Sequence, residues 1–192
     1  MRVNYSGLLA SHLRVDKYVL ALLVCSLALN VYLGAEVRRS RGPALAGRPI
    51  VGKEADVIHA WSTEGRPTNL AINEGSRPAL VYIFSPTCGW CEKNYSNVVS
   101  LSKSVAGEYN VFWVTTDTFQ HASDYSHTKH CPFPVYGSVD DGTIRRLGLG
   151  ATPETIVVTR ENKVSHDWKG AWTASKRDEI EAFFHAKLPD SL

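Results

Sequence analysis

A short apolar run followed at once by two cysteines constrains this chain more than any other feature of its sequence. The run is PALVYIF, at residues 78–84, and turn-forming residues bound it on both sides. Such a run is typical of a β-strand that is buried on both faces of a sheet. Cys88 and Cys91 come next, and apolar residues at three- and four-residue steps then predict an amphipathic helix that ends near Gly107. The two cysteines are therefore expected where a central strand gives way to a helix.

This position favours redox chemistry. The free N–H groups at a helix N-terminus stabilise a negative charge and would lower the pKa of the Cys88 thiol. A thiolate is the attacking species in thiol–disulfide exchange, and a second thiol three residues later can reach the mixed disulfide that forms. The sequence thus predicts that Cys88 attacks and that Cys91 resolves.

Three other interpretations of the pair stay open. A metal site would need further ligands, and the segment SHTKHCPF offers His127, His130 and Cys131. A purely structural disulfide would close a very small loop, which constrains the unfolded chain little. The two thiols could also simply pack in a core. The strand-to-helix setting, with Gly89 and Trp90 between the cysteines, favours redox chemistry over all three, and we expect no bound metal.

A second apolar segment lies near the N-terminus. Residues 18–35, YVLALLVCSLALNVYLGA, carry no charge, and as a helix they would be about 27 Å long, close to a bilayer core. We expect residues 1–17 to be an N-terminal segment and residues 18–35 to be an uncleaved transmembrane helix in the lipid bilayer. A cleaved signal peptide is the alternative, but the pattern Ala44-Leu45-Ala46 lies well beyond the end of the apolar run.

The charged residues exclude one class of partner and leave the orientation in the membrane open. Arginines and lysines lie on both sides of the apolar segment, so their number does not decide which side faces the cytoplasm. The usual orientation of a short N-terminal segment places the rest of the chain on the periplasmic or extracytoplasmic side. The formal charge of +2, from 21 basic and 19 acidic residues, gives no electrostatic case for a nucleic acid partner.

One folded domain is predicted after the apolar segment. Residues 36–53 are rich in Gly, Pro, Ala and Arg without a lasting period, which is typical of a flexible linker. Residues 54–192 show strand and helix patterns in the order β-β-β-α-β-α-β-β-α, with a final helix capped by Ser175. This order predicts an α/β fold, a three-layer α/β/α sandwich with a mixed central sheet. The other predicted elements are hairpins at 57–72 and 154–169, a buried strand at 110–116 and a helix at 119–129.

Three segments together resemble a known family. ALVYIFSPTCGWCEKN, PFPVYGSVDDGTIRRLGLGATPETIVV and the closing VSHDWKG are similar to the membrane-anchored thioredoxin-like redoxins of the TlpA/ResA type, over most of the predicted domain. The resemblance implies a thioredoxin fold, an exposed nucleophile at Cys88, a buried resolving Cys91 and a cis peptide bond before Pro153. It also implies that Trp90 and Thr152 border a groove, in which backbone hydrogen bonds line up an extended substrate segment.

The activity implied by this resemblance is that of a thiol–disulfide oxidoreductase. Its substrates would be protein thiols and disulfides, and a membrane or soluble thiol redox donor would supply it with electrons. The resemblance favours a reductant over an oxidant, and we expect no cofactor. A thiol peroxidase of the same fold and a module that binds copper or zinc are the alternatives.

Two positions depart from the family pattern. Thioredoxins carry a buried Asp six residues before the first cysteine, where this chain has Tyr82, and a Tyr cannot serve as a carboxylate base. Members that act in cytochrome maturation commonly carry a Glu three residues after the second cysteine, where this chain has Asn94. Glu92 is near, but we expect it to point elsewhere on the helix. The pattern thus does not say how Cys91 loses its proton, and a role in cytochrome c maturation is weakened.

The remaining cysteines and the histidines are interpreted as structural or surface residues. Cys131 is expected to be a half-buried free thiol, with a third redox thiol as the alternative. His121, His127 and His130 are expected on a solvated helix face and not in a metal site. Cys25, inside the apolar run, should behave as a small hydrophobic residue.

Overall fold

The computed structural model of the chain describes three ranges of the sequence. Its described residues are 17–40, 50–72 and 74–189, with the side chains of the first segment described up to residue 35. The chain divides into two compact units, residues 1–44 and residues 45–192.

The described residues of the first unit form a long helix, α1, at Lys17–Ser40. Its stretch Lys17–Ala35 is long and apolar enough to cross a membrane, with a mean hydropathy of 2.0, and it lies near the N-terminus. The helix α1 is therefore a candidate membrane span, although a signal sequence has the same length and composition. The helix continues past the predicted end at residue 35, into the segment predicted as a linker. The pattern Ala44-Leu45-Ala46 lies outside the described residues.

Within the described residues of the second unit, seven strands form one mixed sheet. Its strand order is β2-β1-β5-β4-β3-β6-β7, in which β3, β4 and β5 are parallel and every other neighbouring pair is antiparallel. Both predicted hairpins, β1 with β2 and β6 with β7, are confirmed. The strands are β1 Val57–Ser62, β2 Pro67–Ala71, β3 Ala79–Phe84, β4 Asn110–Thr115, β5 Val135–Gly137, β6 Glu154–Val158 and β7 Val164–Lys169.

Helices cover both faces of this sheet, as the α/β/α prediction required. One apolar core includes residues of α2, α3 and α5, and α4 contributes to the core on the other face. The predicted element order lacked β5, because three residues are too few to show a strand period. The helices are α2 Gly89–Val105, α3 Phe119–Lys129, α4 Asp141–Leu147 and α5 Ala174–Phe184, with a 3-10 turn at Glu74–Ser76.

The central strand β3 separates the two cores. All six of its residues are buried, and it is paired with β4 on one side and β6 on the other. Its successive side chains point to opposite faces, as in any strand. Ala79, Val81 and Ile83 lie in the core with α4, whereas Leu80, Tyr82 and Phe84 lie in the core with α2, α3 and α5.

The folded part of the second unit begins earlier than predicted. Ile50 is fully buried, and the N–H of Gly52 donates to the carbonyl of Val164 at 2.7 Å. Residues 50–53, which were predicted to end the linker, therefore belong to the folded unit. Burial of an isoleucine and pairing with β7 outweigh the turn-like composition of this segment. Residues 41–49, also predicted as linker, lie outside the described residues.

The final helix begins before its predicted cap. Thr173 is the N-cap residue of α5, and its carbonyl already accepts a hydrogen bond from the N–H of Arg177 at 2.8 Å. The prediction of Ser175 as the cap was wrong, because that residue lies inside the first turn. The apolar face of α5 packs on the core, with Ile180 buried and Phe183 and Phe184 half-buried against it.

Candidate active site

The two cysteines lie where β3 passes into α2. Cys88 is the N-cap residue of α2, with an extended backbone at φ −81° and ψ 111°. Its sulfur accepts a hydrogen bond from the N–H of Cys91 at 3.2 Å. A side-chain oxygen usually makes this bond at an N-cap. Here the helix N-terminus is directed at a thiol instead.

The surroundings of Cys88 favour its thiolate. Partial burial alone would raise the pKa of Cys88, but hydrogen bonds to its sulfur outweigh that effect and lower the pKa below its usual value. The groups that make these bonds are the thiol and N–H of Cys91, Thr152 and the N–H of Trp90. Cys88 is only half-buried, so a partner can reach this sulfur.

The surroundings of Cys91 have the opposite effect. Cys91 is 2% exposed, and burial together with its hydrogen bond to Cys88 raises the pKa of Cys91 to about 12. The N–H of Ser85 and the hydroxyl of Tyr82 oppose this rise, but only in part. The pair therefore combines a reachable thiol whose pKa is lowered with a buried thiol that keeps its proton at neutral pH.

The segment before β6 completes this site. The peptide bond between Thr152 and Pro153 is cis, the isomer that the family resemblance implied. The Cys88 thiol donates to the carbonyl of Thr152 at 3.6 Å. Pro153 is buried and Thr152 is half-buried. The structure thus brings Cys88, Thr152 and Pro153 together at one end of the sheet.

An exposed aromatic ring and a groove adjoin the cysteine loop. The side chain of Trp90 is 53% exposed, and the ammonium group of Lys93 lies 4.6 Å from its ring centroid. The groove, of about 300 Å³, separates the start of the loop from one face of α3. Its lining residues are Pro86, Thr87, His121, Asp124, Tyr125, Thr128 and Lys129.

A hydrogen-bond network that the sequence analysis missed fixes the loop before Cys88. The hydroxyl of Ser85 donates to the carboxylate of Asp117 at 2.8 Å and lies 3.2 Å from the hydroxyl of Thr87. The N–H of Asp117 donates to the hydroxyl of Thr115, the last residue of β4, at 3.1 Å. Because β3 and β4 are parallel neighbours, their carboxyl ends meet at one edge of the sheet. That rule could have linked Asp117 to the cysteine loop.

The position of Asn94 holds a structural amide. Asn94 is fully buried on α2, and its side-chain oxygen accepts a hydrogen bond from the N–H of Trp172 at 3.2 Å. It therefore anchors the segment before α5. Glu92 is exposed and pairs with Lys129 at 2.5 Å, which confirms that it points away from Cys91.

The remaining candidate residues are not brought to Cys88 and Cys91. Cys131 is half-buried as predicted, burial raises its pKa, and the hydroxyl of Tyr95 lies 4.0 Å from its sulfur. His121, His127 and His130 are exposed, as predicted. In the part of the chain that the structure describes, no three His, Cys, Asp or Glu side chains converge where they could hold a metal ion.

A buried ionic cluster also escaped the sequence analysis. Glu154 is fully buried, and the ammonium of Lys169 lies 2.9 Å from its carboxylate and 3.2 Å from that of Asp167. Burial raises the pKa of Glu154 to about 7, even though Lys169 opposes that rise. Glu154 is paired with Ile83, so its side chain lies on the α4 face of the sheet, opposite to Cys91.

Comparison with known proteins shows similarity in structure and none in sequence families. No protein-family model matches the chain, and no curated protein matches its sequence. A thioredoxin-family thiol:disulfide interchange protein from Chlorobium tepidum TLS has a TM-score of 0.54 at 16% identity, over 71% of this chain and 98% of that one.

Two further solved structures resemble the chain to a similar extent. A putative thiol:disulfide interchange protein DsbE from Chlorobium tepidum has a TM-score of 0.56 at 18% identity, over 70% of this chain and 96% of that one. Peroxidoxin BcpB from Mycobacterium tuberculosis has a TM-score of 0.56 at 14% identity, over 72% of this chain and 97% of that one. At these identities the likeness establishes the architecture, and it shows that the second unit of this chain has the thioredoxin fold.

Proposed function

We propose that this protein is a thiol–disulfide oxidoreductase that exchanges a dithiol and a disulfide at Cys88 and Cys91 with protein partners. One observation carries the proposal. A reachable thiol with a lowered pKa and a buried thiol with a raised pKa share the first turn of α2. Attack on a partner disulfide needs a thiolate that the partner can reach, and a second thiol three residues later can resolve the mixed disulfide that forms. The solved structures with the same fold include thiol:disulfide interchange proteins, which supports the proposal.

The reaction takes place in two steps, attack by Cys88 and resolution by Cys91. The Cys88 thiolate attacks a partner disulfide, which forms a mixed disulfide and releases one partner sulfur as a thiolate that takes up a proton. Cys91 then loses its proton and attacks the sulfur of Cys88. The Cys88–Cys91 disulfide forms, and the second partner sulfur leaves and becomes a thiol. The protein gives two electrons and two protons, and the partner disulfide is reduced.

The surface around Cys88 would hold the partner during this reaction. An extended partner segment would lie against Thr152 and cis-Pro153 and bond to the backbone there, with Trp90 as an apolar border. The exposed ring of Trp90 and the closeness of the Thr152 carbonyl to the Cys88 sulfur support this placement.

The proposal also includes the direction of electron transfer and the location of the protein in the cell. Residues 18–35 of α1 would anchor the chain in a membrane, with residues 1–17 before them and a tether after α1. The domain, predicted at 54–192 and packed from Ile50 onward, would lie on the periplasmic or extracytoplasmic side. There it would act as a reductant that a membrane or soluble thiol donor regenerates. The apolar length of α1 supports the anchor, and the family resemblance supports the direction.

The variant Cys91→Ser should trap the partner. When the full-length chain in detergent reacts with insulin, Cys88 still attacks a disulfide, but no second thiol resolves the adduct. A mixed disulfide between Cys88 and one insulin chain should become the major species, whereas the wild-type chain should show only traces. Mass spectrometry of acid-quenched, alkylated protein would locate the linkage.

The control for this experiment is the double variant Cys91→Ser with Cys131→Ser, which should form the same adduct. An adduct on Cys131, or the absence of an adduct in Cys91→Ser, would contradict the proposal. The experiment also separates the alternatives, since a metal-binding module would form no adduct and would instead retain stoichiometric copper or zinc after purification under reducing conditions.

A thiol peroxidase is the second candidate, because peroxidoxin BcpB is among the similar structures. Such an enzyme would also use a thiolate at Cys88. It would consume hydrogen peroxide in the presence of a thiol donor much faster than it reduces insulin, and the oxidoreductase proposed here would show the reverse preference.

A further inference from the structure

The second step of the proposed reaction needs a thiolate at Cys91, and the site opposes its formation. Cys91 is buried, and its pKa is raised to about 12. The two positions at which related proteins carry a carboxylate hold Tyr82 and Asn94. The amide oxygen of Asn94 is already bonded to the N–H of Trp172. The thiolate must therefore be stabilised in another way.

We infer that the hydroxyl of Tyr82 donates a hydrogen bond to the sulfur of Cys91 as that sulfur becomes a thiolate, and so speeds the release of the partner. The inference rests on the proposed function and deepens it, because it assigns a residue to the resolving step. Tyr82 would act as a hydrogen-bond donor in the place where thioredoxins carry a carboxylate.

The packing of Tyr82 fixes its ring in the core that contains Cys91. Tyr82 is 3% exposed, and its side chain lies on the face of β3 that α2 covers. Its ring stacks on Phe84 with centroids 5.8 Å apart and meets the edge of Trp113 at the same distance. A ring held between two aromatic side chains has little freedom to move within this core.

The Tyr82 hydroxyl has a proton available for donation to an acceptor. It is buried and makes no aligned hydrogen bond with any group that the structure describes. It nevertheless lies close enough to Cys91 for the two groups to shift each other's pKa: the hydroxyl lowers that of Cys91, and Cys91 raises that of Tyr82. An unsatisfied buried hydroxyl is costly, and a hydrogen bond to a charged acceptor is stronger than one to a neutral acceptor. A thiolate at Cys91 would supply this acceptor.

Tyr82 would donate and would not act as a base. Burial raises the pKa of Tyr82 well above its usual value, so the hydroxyl keeps its own proton at neutral pH. The proton that leaves Cys91 ends on the sulfur of the departing partner thiol, and the charges balance without a protein carboxylate. The N–H of Ser85 is a second donor to the Cys91 sulfur.

The titratable groups that the structure describes around Cys91 lie on three elements. Cys88 faces it from the start of α2, Tyr82 from β3 and Tyr125 from α3. Burial raises the pKa of Tyr125 well above its usual range, so this group also stays neutral. Glu154 lies on the opposite face of the sheet. A change in the pH profile of the resolving step can therefore be traced to Tyr82.

The test compares wild-type and Tyr82→Phe full-length chains in detergent, both with Cys25→Ala and Cys131→Ser. Reduced protein reacts with 5,5′-dithiobis(2-nitrobenzoate), which releases one coloured thiolate when Cys88 attacks and a second when Cys91 resolves. Tyr82→Phe should leave the first release unchanged within about two-fold. It should slow the second about 10-fold, or about 1.4 kcal/mol, and shift its pH profile upward by about one unit.

The matched control is Tyr109→Phe. The ring of Tyr109 packs against Phe184 with centroids 5.4 Å apart, and its replacement should change neither release. The inference is overturned if Tyr82→Phe resolves at the wild-type rate with the wild-type pH profile. It is also overturned if both releases slow equally, since that would indicate a general disturbance of the fold. If the wild-type chain gives no second release, the proposed exchange itself fails.

Discussion

The variant Cys88→Ser is expected to lose insulin reduction by about 1,000-fold or more, to the rate of dithiothreitol alone. The first step requires a thiolate, and a serine hydroxyl neither ionises at neutral pH nor forms a disulfide. Cys91 cannot substitute for it, because Cys91 is buried and its pKa is raised to about 12. The measurement is the turbidity of reduced insulin chains, with the full-length chain in detergent.

Cys131→Ser is the matched control for this loss. Cys131 is a half-buried thiol whose pKa is raised by burial, and it lies outside the cysteine loop, so its replacement should keep activity within about two-fold. Activity that survives in Cys88→Ser, or that disappears in Cys131→Ser, would assign the chemistry to the wrong sulfur.

The variant Lys169→Met should show the largest loss of stability, about 3–5 kcal/mol in the free energy of unfolding at pH 8. The ammonium of Lys169 lies within 3.2 Å of the carboxylates of Glu154 and Asp167, and the first of these side chains is fully buried. One further oxygen on each carboxylate is buried without a hydrogen-bond partner among the groups that the structure describes. Without the ammonium, the two carboxylates would be buried with no compensating charge. Urea unfolding of the full-length chain in detergent measures the change.

The loss should become smaller as the pH falls. Burial raises the pKa of Glu154 from 4.5 to about 7, so the folded state binds more protons than the unfolded state between these values, and stability falls as the pH rises through them. Removal of Lys169 favours the protonated form of Glu154 still more. The difference from wild type should therefore be smaller near pH 5 than near pH 8.

An exposed ion pair provides the control for this prediction. Arg145 lies 4.0 Å from Asp141, with the two side chains 63% and 87% exposed, and Arg145→Met should cost below about 0.5 kcal/mol. Adding Glu154→Gln to Lys169→Met should recover part of the loss, because it removes one unpaired charge. A cost for Lys169→Met as small as that for Arg145→Met, or one that does not depend on pH, would contradict this account of the cluster.

The layers of the fold could be predicted because apolar periods identify long elements. The strand β3 is apolar throughout since both of its faces are buried, and α3 was predicted with the bounds that the structure shows. The three-residue strand β5 and the start of the folded unit at Ile50 depend on pairing with distant residues, which a local pattern does not contain.

The candidate site was predictable to a similar depth. The spacing of Cys88 and Cys91 after a strand indicated the chemistry, and the family resemblance indicated Pro153. The residue that holds the loop before Cys88 comes from elsewhere in the chain: Asp117, two residues after β4, accepts a hydrogen bond from Ser85. At position 82 the sequence showed only that a carboxylate was missing. The unused hydrogen bond of the Tyr82 hydroxyl depends on how its neighbours pack.

The reduction potential of the full-length chain in detergent tests the central claim most directly. Equilibration in glutathione and dithiothreitol buffers, followed by thiol alkylation and mass spectrometry, gives both the potential and the identity of the thiols that change. We predict a reduction potential of about −270 mV, with Cys88 and Cys91 oxidised together as one pair and Cys131 remaining a thiol. A reduction potential of about −120 mV would make the protein a disulfide donor and would contradict the proposed direction. The absence of exchange at Cys88 and Cys91 would contradict the account altogether.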